Sequence, residues 1–393
     1  RRTDDIKSEF IYAYELNFPE NHKDRSTIDT FYRFPGANGQ HSKLYSKLES
    51  VYLKDHPQVL SFLNRKLDLS SFDNEKSFVI RTGDIYNIRV LPEMQVELFI
   101  NLYKLNNIDW INDYLVEVNK RLADGGIVAG TFEPIKYRYK RFLRKYPFLL
   151  ANILYMFDFI WHRAIPKLPF IQKVFFAFSK GKNRAISLAE GLGRIYYCGF
   201  EILDLKIVDE LCYFVAKKVK APSADKNPSY SLLFKMKRLG KHGKPIYVYK
   251  FRTMHPYSEY LQEFVYKNNA LDLGGKFKDD FRVTTWGRIF RKLWIDELPM
   301  LINWIKGDCK FVGVRPLSEH YLSLYDSEFR QRRLNYKPGL VPPFYADLPK
   351  TMEQIIASEK KYLDAYDKSK VRTDLRYLGK AFINIAFNRA RSN

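Results

Sequence analysis

The chain has 393 residues, too many for one small core and a natural length for two domains. Hydrophobic residues make up 46% and charged residues 28%, a balance that excludes a disordered polymer. Lys and Arg number 66 against 44 Asp and Glu, a formal charge of +22. Such an excess calls for a polyanionic partner, either nucleic acid or an anionic membrane face, and the 16% aromatic content suits both.

The N-terminus opens Arg1-Arg2-Thr3 and turns polar, with no signal-peptide pattern. Without an initiating Met the sequence reads as a fragment or a trimmed chain. Residues 1 to about 75 are polar and weakly periodic, with a loop at Phe34–Gln40. Phe78–Arg81 is a short apolar run that predicts a strand. Trp110 to Leu122 has helical spacing, with Ile111, Leu115, Val118 and Leu122 on one face. Gly125-Gly126 is expected to end that helix, and Ile127–Ala129 to follow as a strand. Further on, Leu188–Tyr197 reads as a helix, and Glu201–Leu205 and Cys212–Ala216 as strands. The order is α/β in character. Residues 112–130 and 189–218 resemble the latter half of a class I methyltransferase-like Rossmann domain. The glycine-rich loop of that family is not evident upstream, so the domain reads as a degenerate scaffold.

Between these pieces lies 147–178, an apolar stretch with cationic flanks. It is shorter than the roughly 20 apolar residues of a simple membrane span. Phe148, Leu149, Leu150, Ile153, Leu154, Phe157, Phe159, Ile160 and Trp161 are available for insertion, and Arg141, Arg144, Lys145, Arg163, Lys167 and Lys173 flank them. Two readings stay open: an interfacial membrane element, or a helix hairpin buried in the domain. Lys217–Pro228 is a polar linker, which sets domains at 1–220 and 228–393. Arg376–Arg391 is a second candidate interfacial helix, with Leu378, Phe382, Ile385 and Ala386 on one face, or an ordinary packed surface helix. Cys198, Cys212 and Cys309 have spacings of neither a zinc site nor a disulfide framework.

The informative stretch is 234–340. His242-Gly243 makes a turn, and the strand Ile246–Tyr249 delivers Lys250 and Arg252, a point charge and a bidentate fork suited to a diphosphate. Asp280, Arg282, Arg288 and Arg291 precede the pair Asp296-Glu297. Leu298, Leu301, Ile302 and Ile305 then have helical spacing, with Pro299 at the helix start. The pair is therefore expected at a helix N-terminus, either as caps or as a reactive carboxylate pair held ionised by the helix dipole and the arginines.

The blocks "VYKFRTM" (248–254), "DDFRVTTWGRIFRKLWIDELPMLIN" (279–303), "GDCKFVGVRP" (307–316) and "RRLNYKPGL" (332–340) closely resemble, in order, the monotopic phosphoglycosyl transferase family, also called bacterial sugar transferases. The resemblance covers roughly 228–390. It implies transfer of a sugar phosphate from a nucleotide diphosphate sugar to polyprenyl (undecaprenyl) phosphate, at the start of surface-glycan assembly. Asp296 would be the nucleophile of a covalent phosphosugar intermediate, and Glu297 would help hold Mg2+. Lys250, Arg252, Arg282, Arg288, Arg291 and Arg315 would bind substrate, and Asp364 matches a late acidic position. Two departures from the family pattern stand out: Val314 replaces the first proline of Pro-Arg-Pro, and Leu340-Val-Pro-Pro-Phe344 replaces a Thr-Gly continuation.

The expected architecture is a degenerate Rossmann-like domain followed by a mixed α/β monotopic sugar-transferase domain with interfacial membrane helices. The expected setting is the cytoplasmic face of a bacterial inner membrane, with lipids and no nucleic acid as partners, and homo-oligomerisation open. A catalytically silent membrane scaffold for glycan enzymes is the alternative.

Overall fold

The computed structural model of the chain describes residues 43–386, apart from 168–170, 226–227, 229–230, 269–270, 273–275 and 278–279. The loop expected at Phe34–Gln40 and the basic residues Arg389 and Arg391 lie outside the described residues. The chain forms two compact units, one of residues 1–230 and 256–264, the other of 231–255 and 265–393.

The first unit is built on a five-stranded sheet in the order β1-β2-β3-β5-β4. Its strands are β1 (Ser77–Ile80), β2 (Val96–Lys104), β3 (Leu122–Phe132), β4 (Phe200–Val208) and β5 (Leu211–Lys218). β1, β2 and β3 run parallel, and β5 runs antiparallel between β3 and β4. The β4–β5 turn places Asp209 and Glu210 at positive φ, 48° and 68°, as a two-residue hairpin with right-handed strand twist requires. Both sheet faces are covered, which is why β2 and β3 read as nearly continuous apolar runs. One face buries Leu98, Ile100, Ile127, Ala129 and Val215 against α1 (Pro57–Leu67) through Val59, Phe62 and Leu63. The opposite side takes α2 (Ile111–Arg121) and, later in the chain, the helix Leu188–Tyr197, whose Gly191 sits so close to the Phe132 ring that a Cβ would approach it to 2.5 Å.

Two expectations are corrected here. The stretch before residue 75 contains α1, whose apolar face is short but buried. Gly125 and Gly126 do not cap α2: the helix ends at Arg121, Leu122 already being extended, and the glycines lie inside β3, where Gly125 at φ 77° accompanies a register irregularity against β2.

After β3 come α3 (Ile135–Lys145) and α4 (Phe148–Phe159), a helical hairpin. α4 continues through Ile160–Ala164, and α5 (Gln172–Ser179) follows. Trp161 turns inward onto Phe175, with ring centroids 6.0 Å apart, so it is not among the side chains open to insertion; Leu154 and Phe159 are half-buried. The helix Leu188–Tyr197, hereafter α6, is capped by Ser187, whose hydroxyl accepts from the Glu190 amide. Segment 256–264 packs in this unit, where Tyr257 receives Arg194 over its ring.

The second unit opens with the antiparallel hairpin β6 (Leu233–Leu239) and β7 (Pro245–Phe251), whose turn holds His242 at φ 57° and Gly243 at φ 71°. Then come α7 (Thr285–Leu293), a 3-10 turn (Ile295–Met300), α8 (Leu301–Ile305) and a parallel pair, β8 (Lys310–Val312) and β9 (Gly339–Val341), with α9 (Ser327–Leu334) between them. α10 (Met352–Lys368) and α11 (Lys370–Ala386) close the unit, packed through Tyr362 and Tyr377 onto Val312, Val314 and Phe329. α11 presents Val371, Leu375, Phe382 and Ile383 to solvent, whereas Leu378 and Ile385 are half-buried. Among the described residues no helix is long and apolar enough to cross a membrane.

Candidate active site

Alternation along the β6–β7 hairpin places Met236 and Arg238 of β6 on one face with Val248 and Lys250 of β7. Those four side chains line one cavity together with Glu297 and Arg315. It encloses about 190 Å³, less than the roughly 300–1,000 Å³ of pockets that engulf a small molecule, so it can seat the charged part of a ligand and leave the rest outside.

Lys250 Nζ donates to Glu297 Oε1 at 2.5 Å, with both groups largely shielded from water. Asp296 and Glu297 are each 6% exposed and lie in the 3-10 turn, which the chain enters through Trp294 at φ 63°. The pair thus lies in the first turn of a helical segment, as expected, but that turn is 3-10 and not α. The N-cap positions are Trp294 and Met300, so neither carboxylate caps a helix, and Pro299 sits inside the tighter turn. Asp296 does not itself line the cavity. Its charge acts on Arg291, whose pKa burial lowers while Asp296 and Asp280 oppose the drop. Arg291 Nε donates to Thr253 Oγ1 at 2.9 Å, which ties α7 to the end of the β7 motif. The same tie uses Thr284, whose amide donates to Thr253 O at 2.9 Å and whose hydroxyl caps α7 at Gly287. A Cβ on Gly287 would lie 2.0 Å from that carbonyl, so only glycine permits this approach.

Three groups at the site were not found from sequence. Arg238 donates to Lys237 O and Met236 Sδ; burial, then the charge of Arg315, pushes its pKa down, and among the described residues it forms no ion pair. Asn303, fully buried, donates to Tyr247 O at 2.7 Å and accepts from the Tyr249 amide at 3.1 Å, joining β7 to α8. Arg333 and Glu359 form a buried pair at 2.8 Å, and Arg333 also donates to the Arg315 carbonyl, which fixes the backbone that presents Arg315.

The remaining expected residues stand elsewhere. Arg282 is bidentate on Asp280, with contacts of 2.7 to 3.0 Å. Arg252 donates to Ser231 O and lies over the Phe234 ring. Arg288 is half-buried on α7, and Asp364 pairs with Arg332 at 2.7 Å. None of these four lines the cavity. Val314 is packed in the core, while Leu340 and Pro342 form part of the cavity wall. The departure at 340–344 therefore bears on the pocket and that at 314 does not.

Among the described residues no three of His, Cys, Asp or Glu gather into a metal cage. Glu297, which lines the cavity, is of the donor type that Mg2+ takes, one or two carboxylates with its other ligands from water and substrate phosphates.

Residues 203–388 match the family described as bacterial sugar transferase. That segment of the chain belongs to the bacterial sugar transferase family. The match begins inside β4, so the transferase segment takes in the last two strands of the five-stranded sheet. The chain is 47% identical over 109 residues to the uncharacterized sugar transferase EpsL of Bacillus subtilis, covering 28% of this chain and 48% of that one. It is 41% identical over 115 residues to the exopolysaccharide production protein ExoY of Sinorhizobium fredii, covering 28% and 50%. It is 33% identical over 163 residues to the undecaprenyl-phosphate galactose phosphotransferase of Salmonella typhimurium, covering 40% and 33%. The chain thus spans about half or less of the length of these curated relatives.

Proposed function

We propose that the protein transfers a sugar phosphate from a nucleotide diphosphate sugar to polyprenyl phosphate, with Asp296 as nucleophile. The observation that carries the reading is the buried Asp296-Glu297 pair, whose Glu297 meets Lys250 in a cavity also lined by Arg238 and Arg315, within a transferase-family segment. Relatives named as undecaprenyl-phosphate sugar phosphotransferases support the substrate class.

The chemistry follows from charge. A carboxylate must approach a diphosphate that is itself anionic, so cations must cancel that charge before attack. Arg238, Lys250 and Arg315 supply three of them and Arg291 a fourth. An oxygen of Asp296 forms a bond to the sugar-bearing phosphorus, and the bond from that phosphorus to the nucleoside monophosphate breaks, its electron pair leaving with the monophosphate. A phosphate oxygen of the polyprenyl acceptor then attacks the same phosphorus and releases Asp296 unchanged. Mg2+, held by Glu297, would supply further neutralisation of phosphate charge when bound. The acceptor is lipid, and Leu298, Trp304 and Ile305, all exposed beside the 3-10 turn, offer it an apolar approach. That placement supports action at a membrane surface.

The first unit fits a scaffold role. The loop after its β1, Arg81-Thr82-Gly83-Asp84, carries one glycine, which supports a scaffold over a nucleotide-cofactor site. The test is to incubate the protein and polyprenyl phosphate with a panel of nucleotide sugars and score nucleoside monophosphate. Release with one or a few sugars is expected. No release with any, from folded protein in lipid, favours the silent scaffold.

A further inference from the structure

The α3–α4 hairpin of the first unit is built with its polar groups turned inward. Arg138 on α3 grips Asp158 on α4 through two bonds of 2.6 Å, and Tyr139 donates to Asn152 at 2.9 Å. Tyr155 packs between Tyr139 and Phe142, with centroids 4.7 and 5.8 Å away, and Ala151 is fully buried. Residues 151, 152, 155, 158 and 162 thus share the inward face at helical spacing. The opposite stripe is Leu149, Ile153, Met156, Phe157 and Ile160. All five are exposed, Leu149 at 76% and Phe157 at 61%. The face that a soluble helix would make polar is here apolar, and two salt-bridging bonds and a hydrogen bond hold it outward.

Charge surrounds the stripe. Residues 135–163 carry seven Lys or Arg against a single acid, Asp158, which is consumed in the hairpin. Lys140 and Lys145 are exposed on α3, Lys173 on α5 and Lys180 just past its end. An apolar face rimmed by cations complements a surface that is apolar inside and anionic at its edge.

We infer that this hairpin is a lipid-docking element, seating α4 in the interface of a membrane that carries anionic headgroups. The inference stands apart from the transfer chemistry, because vesicle binding is read with no substrate present. The second unit exposes apolar side chains of its own, among them Trp304 and Ile305, so the test must report on α4 itself. The three native cysteines are buried, which lets Leu149→Cys in the full chain take an environment-sensitive fluorophore selectively. With vesicles of phosphatidylcholine and phosphatidylglycerol, its emission should rise and shift to the blue, and nitroxides on the acyl chains should quench it. Vesicles of phosphatidylcholine alone should give a weaker response, and high salt should reduce but not abolish binding. In the unlabelled chain, Leu149→Ser with Phe157→Ser should lower vesicle partitioning about a hundredfold, each buried side chain contributing about tenfold or more. Both side chains are largely exposed, so circular dichroism should be unchanged. A dye that stays in water while the protein binds vesicles overturns the inference, as does unchanged partitioning of the folded double variant. Concentration-dependent shielding of the dye without lipid, with a dimer by light scattering, would assign the face to a second copy instead.

Discussion

Arg238 and Arg315 bring like charges into one small cavity, an arrangement that favours an anionic ligand. Hydrogen bonds to charged groups contribute about 1.5–3 kcal/mol each, so Arg238→Met should lower kcat/KM for the nucleotide sugar roughly 10- to 100-fold. Arg238→Lys should recover part of that loss, and a variant with wild-type kcat/KM would remove Arg238 from the site. Glu297→Gln should raise the Mg2+ concentration needed for half-maximal turnover steeply; full activity in excess chelator would contradict a metal role. Lys250, Arg315 and the Asp296-Glu297 pair were legible in sequence because they sit in contiguous motif blocks. Arg238 was not, since it lies on the partner strand, opposite Ile246, and only the period-two alternation across the His242-Gly243 turn could have placed it. Arg252, Arg282 and Asp364 do not line that cavity; they bond the Ser231 carbonyl, Asp280 and Arg332 respectively.

Two contacts between elements hold the site. α7 can reach the end of β7 only because Gly287 has no side chain. Gly287→Ala forces a Cβ against backbone, and overpacking of this kind costs about 1–3 kcal/mol or more. Denaturant unfolding followed by the fluorescence of Trp286, Trp294 and Trp304, with Trp110 and Trp161 replaced by Phe, should show that loss in the second unit; an unchanged midpoint would contradict the close approach. The buried Arg333–Glu359 pair holds the carbonyl of Arg315. Glu359→Leu should cost about 3–5 kcal/mol, because it leaves a buried charge, whereas Arg333→Met with Glu359→Leu should restore much of the stability. Activity should remain low in the double variant, because Arg315 has lost its backbone anchor. Recovery of activity along with stability would make the pair purely structural. In the first unit α2, α6 and the strands β1, β3, β4 and β5 were legible from the sequence, whereas α1, the interior strand β2 and α3 were not. The 3-10 turn at Asp296 was not, since Leu298 to Ile305 has helical spacing and only Trp294 at positive φ reveals the tighter start.

At the scale of the whole molecule, the α/β character and the transferase segment could be read from sequence, whereas the return of 256–264 to the first unit depends on Tyr257, which carries no local signal. The outward stripe of α4 was one of two readings that stayed open, because an all-apolar helix looks the same in sequence whether it faces a core or a membrane. Cys198, Cys212 and Cys309 are buried; burial pushes the Cys309 thiol up to about 12 and the other two higher than their ordinary value. Thiolate is the reactive form, so at pH 8 the native chain should resist alkylation and the unfolded chain should take three labels. Rapid native labelling would contradict the packing around them.

In the proposed reaction Asp296 carries the sugar phosphate. The direct measurement is mass spectrometry of the protein after incubation with its nucleotide sugar and Mg2+ in the absence of acceptor. A mass increase of one sugar phosphate is expected, located by peptide mapping to Asp296, lost on addition of polyprenyl phosphate and absent from Asp296→Asn, which should also be inactive. An adduct that persists on Asp296→Asn, or turnover by that variant, would contradict that role.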